Sequence, residues 1–381
     1  MKNIVILGST GSIGVSVLKI IRARPDCFKV VGLVTKSNLK TLAKQIEEFC
    51  PSIVSVANKE KAKELRSLIT RKVKIVFGEE GSMELASCDN ADMVVSAIVG
   101  AAGLSPTLAA IRAGKTVALA NKEALVAAGD LMMREARANN VKVIPIDSEH
   151  SAIYQIMRGE TKKSVRRIIL TASGGPFLKT PKDELQHVTV KRALRHPNWN
   201  MGKKITIDSS TMMNKGLEVI EARWLFNILP SMIDVVIHPQ SAIHSMVEFY
   251  DSSMMAQMGP ADMRSPIAFA LNYPKRLKVD LPRLDFTQIN SFTFEAPDFE
   301  KYPSLQLAYD ALEKGGGAPV ALNAANEVAV EAFLKGKISF ITIPIITEKV
   351  LGKLGIVKVD SVSTAISIDK WARVKAREQV L

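Results

Sequence analysis

The chain has 381 residues, is 47% hydrophobic and 23% charged, and carries a formal net charge of +13. This composition is typical of a globular protein with two or three domains and excludes a disordered or fibrous chain. No apolar run reaches the roughly 20 residues that a membrane-spanning helix needs.

The positive charge is spread along the whole chain, without a basic tail and without aromatic residues interleaved among basic ones. This pattern argues against a nucleic-acid partner and indicates solvated charge that also attracts anionic small molecules. The sequence enters its first strand without a signal-peptide pattern, and the scattered cysteines, Cys27, Cys50 and Cys88, fit a reducing compartment. We therefore expect a cytoplasmic protein with neither a membrane nor a nucleic-acid partner.

Residues 1–147 alternate apolar segments with helical ones. The predicted strands read, in chain order, NIVILG, KVVGLV, SIVSVA, KIVFG, DMVVSAI, TVALA and KVIPI. Because these segments are apolar on both faces and are separated by helices, they predict a parallel, doubly wound α/β domain of the Rossmann-like type. Ligands bind such a sheet at the carboxyl ends of its strands.

The pattern changes three times beyond residue 147. Residues 148–272 predict an α+β catalytic domain with a largely antiparallel or mixed sheet, from the strand-like segments VRRIILTASG, KKITIDSS, MIDVVIHPQ and SMVEFYDSSMMAQMG. Residues 273–303 hold several prolines without strong periodicity and are predicted to form a linker. Residues 304–381 have helical spacing and predict a C-terminal α-helical domain.

A glycine-rich segment, GSTGSIG at residues 8–14, lies directly after the first predicted strand and opens a helix. Glycines at this spacing allow a tight turn and close approach of a pyrophosphate to the helix N-terminus. The alternative is a tight turn without a ligand. The second strand ends in Thr35, Lys36, Ser37 and Asn38, without the acid that an NAD site usually places there, so NADP is favoured over NAD.

Two carboxylates, Asp147 and Glu149, follow the last strand of the first domain. Alternate residues of a strand face the same side, so we expect the two groups to converge. Such a pair either shares a proton or binds a cation, and Glu218 is a candidate third ligand. Three carboxylates favour Mg²⁺ or Mn²⁺ over zinc. The alternative is a pair of acids neutralised by neighbouring lysines.

Polar residues just ahead of Glu218 form a cluster suited to a phosphate: Ser209, Ser210, Thr211, Asn214 and Lys215. Ser173, before two glycines in TASGGPF, is a second candidate anion contact, or else part of a plain turn. Asn121, Lys122 and Glu123 follow a predicted strand and either line the nicotinamide site or lie on the surface. The loop RHPNWNMGKK, with His196, Trp199 and Met201, is either a lid that excludes water or a packed loop.

Two other classes of protein compete with a metal-dependent NADP enzyme. A semialdehyde or homoserine dehydrogenase is one, but all three cysteines precede residue 89, whereas a semialdehyde dehydrogenase needs a nucleophilic cysteine in its catalytic domain. A non-catalytic NADP sensor is the other, but it has no use for three acids and a phosphate cluster.

Six segments together resemble the 1-deoxy-D-xylulose 5-phosphate reductoisomerase family: GSTGSIG, ANKEAL, IPIDSEHSAI, TASGGPF, HPNWNMGKKITIDSSTMMNKGLEVIEA and IHPQSAIHSMVEF. The resemblance extends through all the predicted domains. It implies a homodimeric, NADPH- and divalent-metal-dependent enzyme. Such an enzyme rearranges its sugar-phosphate substrate to a branched aldehyde and reduces that to 2-C-methyl-D-erythritol 4-phosphate, for non-mevalonate isoprenoid synthesis.

The resemblance also assigns roles to individual residues. It places the metal on Asp147, Glu149 and Glu218, and names Lys122, Glu149 and His196 as catalytic. The implied substrate contacts are Lys122, Ser148, Glu149, His196 and Glu218, with the phosphate on Ser173, Ser209, Asn214 and Lys215. The implied NADPH contacts are Thr10, Gly11, Ser12, Ile13, Lys36, Asn38, Asn121, Glu123 and Gly202, with Trp199 and Met201 in the lid. The sequence departs from the family at Lys36 and Ser37, where a glycine and then a basic residue are usual, and at Ser210, where alanine is usual.

Overall fold

The computed structural model describes residues 1–195, 202–289 and 291–380. The described residues form two compact units, and the chain passes between them several times. The first unit comprises Met1–Ala124, Met132–Ser151 and Asp262–Leu281, and the second comprises Leu125–Leu131, Ala152–Ala261 and Pro282–Leu381. The division suggested by the sequence, three consecutive domains with a linker at residues 273–303, stays a prediction.

The strands are, in chain order, β1 Lys2–Leu7, β2 Phe28–Val34, β3 Ile53–Val56, β4 Lys74–Phe77, β5 Met93–Ser96, β6 Thr116–Leu119, β7 Val143–Pro145, β8 Val165–Ala172, β9 Ile233–Ile237, β10 Ile243–Phe249 and β11 Met254–Met258. The α-helices are α1 Ser12–Ala23, α2 Leu39–Phe49, α3 Lys59–Leu68, α4 Gly78–Ala86, α5 Leu104–Arg112, α6 Lys122–Ala138, α7 Ser148–Ile156, α8 Val190–Ala193, α9 Lys203–Ser210, α10 Met213–Phe226, α11 Arg264–Asn272, α12 Pro303–Lys314, α13 Ala318–Leu334, α14 Thr342–Lys353 and α15 Val362–Arg377. Among the described residues no helix is long and apolar enough to cross a membrane.

The first unit contains a seven-stranded sheet in the order β4-β3-β2-β1-β5-β6-β7, with every neighbouring pair parallel. Every residue of β3 and of β5 is buried, as is typical of strands covered on both faces. The strand order reverses between β1 and β5, which is the point where such sheets bind ligands. The predicted doubly wound α/β fold is confirmed.

The second unit contains a four-stranded sheet in the order β11-β10-β8-β9. Strand β10 is antiparallel to both of its neighbours, whereas β8 and β9 are parallel, so the sheet is mixed, as the sequence predicts. The four C-terminal helices, α12 to α15, contribute to one buried apolar core with α10, in which Leu217, Leu322 and Phe333 are each at most 2% exposed. The predicted helical C-terminal region is therefore confirmed.

One predicted strand is wrong, because KKITIDSS forms helix α9. Three consecutive β-branched residues, Ile205, Thr206 and Ile207, gave the segment its strand-like appearance. The helix is stabilised by tertiary contacts that such local propensity does not report.

Candidate active site

The glycine-rich segment forms a tight turn between β1 and α1 in the first unit. Gly8 has a φ of +88°, and a Cβ on it would lie 2.4 Å from the carbonyl oxygen of Ala97. A Cβ on Gly14 would lie 2.4 Å from the carbonyl oxygen of Gly8. The amides of Gly8 and Ser9 donate to the carbonyl oxygen of Val34, at 3.0 and 2.9 Å. The turn is therefore closely packed, and helix α1 starts from it without a side-chain cap.

The end of strand β2 has the character that the sequence predicts for an NADP site. The hydroxyl of Thr35 lies 2.5 Å from that of Thr10, which joins this strand end to the glycine-rich turn. Lys36 is exposed, and no acid follows the strand. The side chain of Asn38 accepts from the amide of Thr41 at 3.2 Å and so caps α2. Lys36 is thus the nearest exposed cation after this strand.

Asn121, Lys122 and Glu123 are all buried, at 2%, 7% and 6% exposure, which excludes the alternative of surface residues. Asn121 caps α6 by accepting from the amide of Ala124 at 2.9 Å. Its amide nitrogen donates to the carbonyl oxygen of Gly100 at 3.0 Å. The loop after β5 and the start of α6 are consequently held together by one side chain.

Asp147 and Glu149 lie at the junction of β7 and α7, not within a strand. Strand β7 ends at Pro145, and α7 begins at Ser148. A carboxylate oxygen of Asp147 nevertheless lies within 4.8 Å of one of Glu149. The predicted convergence is correct, but its predicted cause, the alternation of a strand, is wrong, since the helix turn brings the two groups together.

The repulsion between these carboxylates is offset locally. Lys122 Nζ lies 2.9 Å from Asp147 Oδ2, and both side chains are largely buried. The Ser148 hydroxyl donates to Glu149 Oε2 at 2.6 Å. The N-terminus of α7 also favours negative charge, because its first amides lack partners within the helix. His150, which is fully buried, places Nδ1 4.0 Å from Asp147 Oδ2.

In the second unit, α10 presents Asn214, Lys215 and Glu218 three and four residues apart, which places them on one helical face. Glu218 is fully buried and Lys215 is 4% exposed. Asn214 donates to Glu218 Oε1 at 2.5 Å, and Lys215 Nζ contacts Glu218 Oε2 directly. This buried carboxylate is therefore both charge-balanced and hydrogen-bonded.

The TASGGPF turn packs against the end of α9. Gly174 and Gly175 have φ values of +80° and +66°, and a Cβ on Gly175 would lie 2.8 Å from the carbonyl oxygen of Ser209. The Gly175 amide donates to the Ser173 hydroxyl at 3.2 Å. Ser173 and Ser209 thus belong to neighbouring turns of the second unit.

Two members of the predicted phosphate cluster have other roles. The Ser210 hydroxyl donates to the carbonyl oxygens of Thr206 and Ala193, at 2.8 and 2.9 Å. The Thr211 hydroxyl donates to the carbonyl oxygen of Ile207 at 3.2 Å. Because both side chains are buried and bonded to backbone, the cluster reduces to Ser209, Asn214 and Lys215 on this segment.

Three predicted site residues, His196, Trp199 and Met201, lie outside the described residues. Gly202 is described, is exposed, and precedes the first residue of α9. Sequence reasoning passed over Asp208, which is 1% exposed and lies beside Ser209. The available signal was an acid placed directly after the apolar Ile207 and before two serines, a position that suggests a buried charge.

Together the fold and these residues define a class: a doubly wound α/β protein with a glycine-rich turn of the dinucleotide-binding type and a carboxylate pair at a strand-to-helix junction. Three stretches match known families, described as 1-deoxy-D-xylulose 5-phosphate reductoisomerase at residues 4–129, its C-terminal domain at residues 143–226, and the DXP reductoisomerase C-terminal domain at residues 258–375. The chain belongs to the 1-deoxy-D-xylulose 5-phosphate reductoisomerase family.

Relatives and solved structures agree over the full length. The reductoisomerase of Geobacter metallireducens is 54% identical over 381 residues, covering 100% of this chain and 99% of the relative. That of Prosthecochloris aestuarii is 53% identical over 374 residues, covering 98% of each chain. The structure of the Zymomonas mobilis enzyme in complex with NADPH has a TM-score of 0.94 at 44% identity, covering 100% of this chain and 99% of that one. A reductoisomerase in complex with NADPH, fosmidomycin and magnesium has a TM-score of 0.94 at 42% identity, covering 100% and 98%.

Proposed function

We propose that this chain converts 1-deoxy-D-xylulose 5-phosphate to 2-C-methyl-D-erythritol 4-phosphate, using NADPH and a divalent cation, in non-mevalonate isoprenoid precursor synthesis. Full-length identity of 54% to a reductoisomerase supports this activity. The observation that carries it within the structure is the carboxylate pair of Asp147 and Glu149, within 4.8 Å of each other. Such a pair beside a buried lysine suits a cation and an oxygen-rich substrate better than it suits a plain dehydrogenase.

NADPH is the reductant, as in the solved relatives, and the glycine-rich turn fits it. Gly8 and Gly14 have no room for a Cβ because protein backbone lies against them, which keeps the turn and the start of α1 closely packed. A glycine-rich turn of this kind lets backbone amides approach a pyrophosphate. We assign the turn contacts to Thr10, Gly11, Ser12 and Ile13, and the remaining contacts to Lys36, Asn38, Asn121, Glu123 and Gly202. Because Lys36 is exposed and no acid follows β2, the 2′-phosphate is favoured over a free ribose hydroxyl.

The proposed ligands of the cation are Asp147, Glu149 and Glu218. All three offer hard carboxylate oxygens, which fit Mg²⁺, the ion of the solved relatives, and also Mn²⁺. When bound, the cation supplies Lewis-acid polarisation of the substrate carbonyl.

Two buried lysines lie beside the proposed metal ligands. Lys122 balances Asp147 and Lys215 balances Glu218 in the structure as described. Once the acids serve a cation, both ammonium groups are available to an anionic substrate. We assign Lys122 to the reacting carbons, where it adds positive potential, and Lys215 to the phosphate with Ser173, Ser209 and Asn214. Phosphate contacts far from the reacting carbons then orient the substrate.

Glu149 is the proposed proton carrier. Its carboxylate accepts a hydrogen bond from the Ser148 hydroxyl at 2.6 Å, so a substrate hydroxyl bound at the same place would lie within reach of it. Ser148 and His196 would complete the contacts to the substrate hydroxyls. Trp199 and Met201 are proposed to belong to a lid that excludes water, and these assignments for residues 196, 199 and 201 rest on the family resemblance alone.

A homodimer is the proposed assembly, and the sheet of the second unit offers a surface for it. Strand β9 is bridged on its outer side, at Ile237, by Glu295. In the described residues β11 pairs only with β10, so its other edge is open. Met254, Met255 and nearby Tyr250 are 50%, 45% and 66% exposed. An open, apolar strand edge of this kind is suited to pairing with a second copy.

The test is an NADPH oxidation assay on the purified protein with the pentulose phosphate, with Mg²⁺, with Mn²⁺ or with a chelator. We expect turnover with either metal and none with the chelator. Aspartate semialdehyde with NADPH, and homoserine with NADP⁺, serve as alternative substrates in parallel. Turnover of either one, or a rate on the pentulose phosphate that the chelator leaves unchanged, would refute the proposal.

A further inference from the structure

Helix α9 has a sequence that disfavours a helix. It is only 8 residues long, and isolated helices of that length are unstable in water. Ile205, Thr206 and Ile207 are β-branched, which lowers helix propensity. Lys203 and Lys204 lie in its first turn, where the helix dipole opposes positive charge, and Asp208 lies near its end, where the dipole opposes negative charge. Contacts from elsewhere must therefore stabilise α9.

Asp208 makes one of those contacts, to a distant helix. Its side chain is 1% exposed, although it is charged. Asp208 Oδ1 accepts from Asn326 Nδ2 at 2.8 Å, a residue of α13 that lies 118 positions further along the chain. Asp208 Oδ2 lies 2.9 Å from Lys204 Nζ, one turn earlier in α9. Both carboxylate oxygens are thus paired inside the second unit, which is what a buried charge requires.

The surroundings of Asn326 allow its side chain only one orientation toward Asp208. It is fully buried, and its Oδ1 has no hydrogen-bond partner among the described residues. Turning the amide over would direct Oδ1 at a carboxylate oxygen, which is repulsive, so only the nitrogen can face Asp208. The Asn326 side chain therefore makes one charge-assisted hydrogen bond, from Nδ2 to Asp208 of α9, while its Oδ1 lacks a partner among the described residues.

Ser209, the proposed phosphate contact, is the next residue after Asp208. Its carbonyl oxygen packs on Gly175 in the turn that holds Ser173. Rotation of α9 about its axis, or loss of its last turn, would displace Ser209 from Ser173. We propose that Asn326 is a positioning residue: through Asp208, α13 of the C-terminal helical region fixes the end of α9 and so sets affinity for the phosphorylated substrate. This inference rests on the proposed function for the identity of the ligand that Ser209 contacts.

The chain supplies a matched control in Asn323. It lies one turn earlier on α13 and is 2% exposed, and its Nδ2 donates to Glu327 of the same helix at 3.1 Å. Asn323→Ala therefore removes a buried asparagine, and its hydrogen bond within α13, while the bond from Asn326 to α9 stays in place. The comparison of Asn326→Ala with Asn323→Ala separates the positioning role from general damage to α13.

Two measurements on the full-length protein test the proposal: hydrogen exchange of the backbone amides of residues 203–211, and KM for the pentulose phosphate alongside Kd for NADPH. A hydrogen bond to a charged group contributes enough that Asn326→Ala should speed exchange in α9 by about tenfold or more. It should also raise KM for the pentulose phosphate at least about fivefold and leave Kd for NADPH within about twofold. Asn323→Ala should leave exchange in α9, KM for the pentulose phosphate and Kd for NADPH unchanged.

Unchanged exchange in Asn326→Ala, or faster exchange with an unchanged KM, would overturn the proposal. Asn323→Ala changing exchange and KM as much as Asn326→Ala does would also overturn it. If Asn326→Ala does not fold, Asp208→Asn replaces it, because that variant keeps an acceptor for Asn326 but loses the charge paired with Lys204. It should also speed exchange in α9, and unchanged exchange there would overturn the proposal. Wild-type protein that fails to turn over the pentulose phosphate would refute the proposed function, whereas the exchange comparison decides the contact with α9 in either case.

Discussion

Two glycines of the turn after β1 should respond differently to alanine, and the difference separates folding from cofactor binding. A Cβ on Gly14 would lie 2.4 Å from the carbonyl oxygen of Gly8 and 2.6 Å from backbone atoms of Ser9. No side-chain rotation relieves a contact with backbone, so α1 must move away from the turn. A Cβ on Gly11 would lie 3.4 Å from the same carbonyl oxygen, which is ordinary contact, and its φ of −78° suits alanine.

The expected magnitudes follow from these distances. Overpacking of a close contact costs about 1–3 kcal/mol, and about 1 kcal/mol lowers Tm by about 2–4 °C in a domain of ordinary size. Gly14→Ala should therefore lower Tm by roughly 2–12 °C. Gly11→Ala gains backbone rigidity and loses a favoured capping residue, effects of similar size and opposite sign, so its Tm should change by about 2 °C or less. Both variants should weaken NADPH binding at least about tenfold, because Gly14→Ala displaces α1 from the turn and a Cβ on Gly11 crowds the proposed pyrophosphate position.

The assay is thermal unfolding without NADPH, followed by fluorescence titration with NADPH. Unfolding must be measured without the cofactor, because a ligand that binds only the folded state raises Tm by itself. Wild-type Tm in Gly14→Ala would show that α1 and the turn are not closely packed. Wild-type NADPH affinity in a folded Gly11→Ala variant would show that the pyrophosphate lies elsewhere.

Three further predictions concern the metal, the cofactor and the assembly. Glu218→Gln should abolish turnover, keep NADPH binding and lower the free energy of unfolding by about 3 kcal/mol, because it leaves the buried charge of Lys215 unbalanced. The control Glu300→Gln, at an exposed position, should change none of these. Normal turnover in Glu218→Gln would exclude Glu218 from the metal site. Lys36→Ala should reduce the preference for NADPH over NADH by about tenfold in kcat/KM, and an unchanged preference would place the 2′-phosphate elsewhere. Met255→Lys should convert a dimer to a monomer in light scattering, with Val374→Lys on α15 as the exposed control, and a dimer that persists would exclude the β11 edge as the interface.

The parallel sheet could be predicted from the sequence because its strands are short, apolar on both faces and separated by helices. Strands β3 and β5 are buried at every residue, so their character depends on no partner beyond the sheet itself. The glycine-rich turn could be predicted for a similar reason, since Gly8 and Gly14 stand where a Cβ would clash with nearby backbone. Both features are specified by residues close to them in the chain.

The hydrogen-bond partners of Ser210 and Thr211 could not be predicted from the neighbouring sequence. Their hydroxyl groups suit a phosphate, but in a helix end they donate to carbonyl oxygens three or four residues earlier or in a neighbouring segment. The prediction of a strand over KKITIDSS is wrong for a related reason. Local sequence does not reveal the hydrogen bond from Asn326 to Asp208, which joins residues 118 positions apart. Tertiary contacts over that distance leave no periodic signal in the segment that they stabilise.

The acidic groups show how a chain can hold carboxylates in place before any ligand binds. Asp147 and Glu149 lie at a helix N-terminus, where unpaired amides favour negative charge, and Lys122 lies 2.9 Å from the first of them. Glu218, in the second unit, has Lys215 and Asn214 on the same helical face. In each unit one of these acids is thereby paired with a lysine as the chain folds. Because an unpaired acid in a largely buried place is costly, this pairing explains why the lysines lie beside the acids and not at the surface. On the proposed function, the same two lysines then contact the anionic substrate.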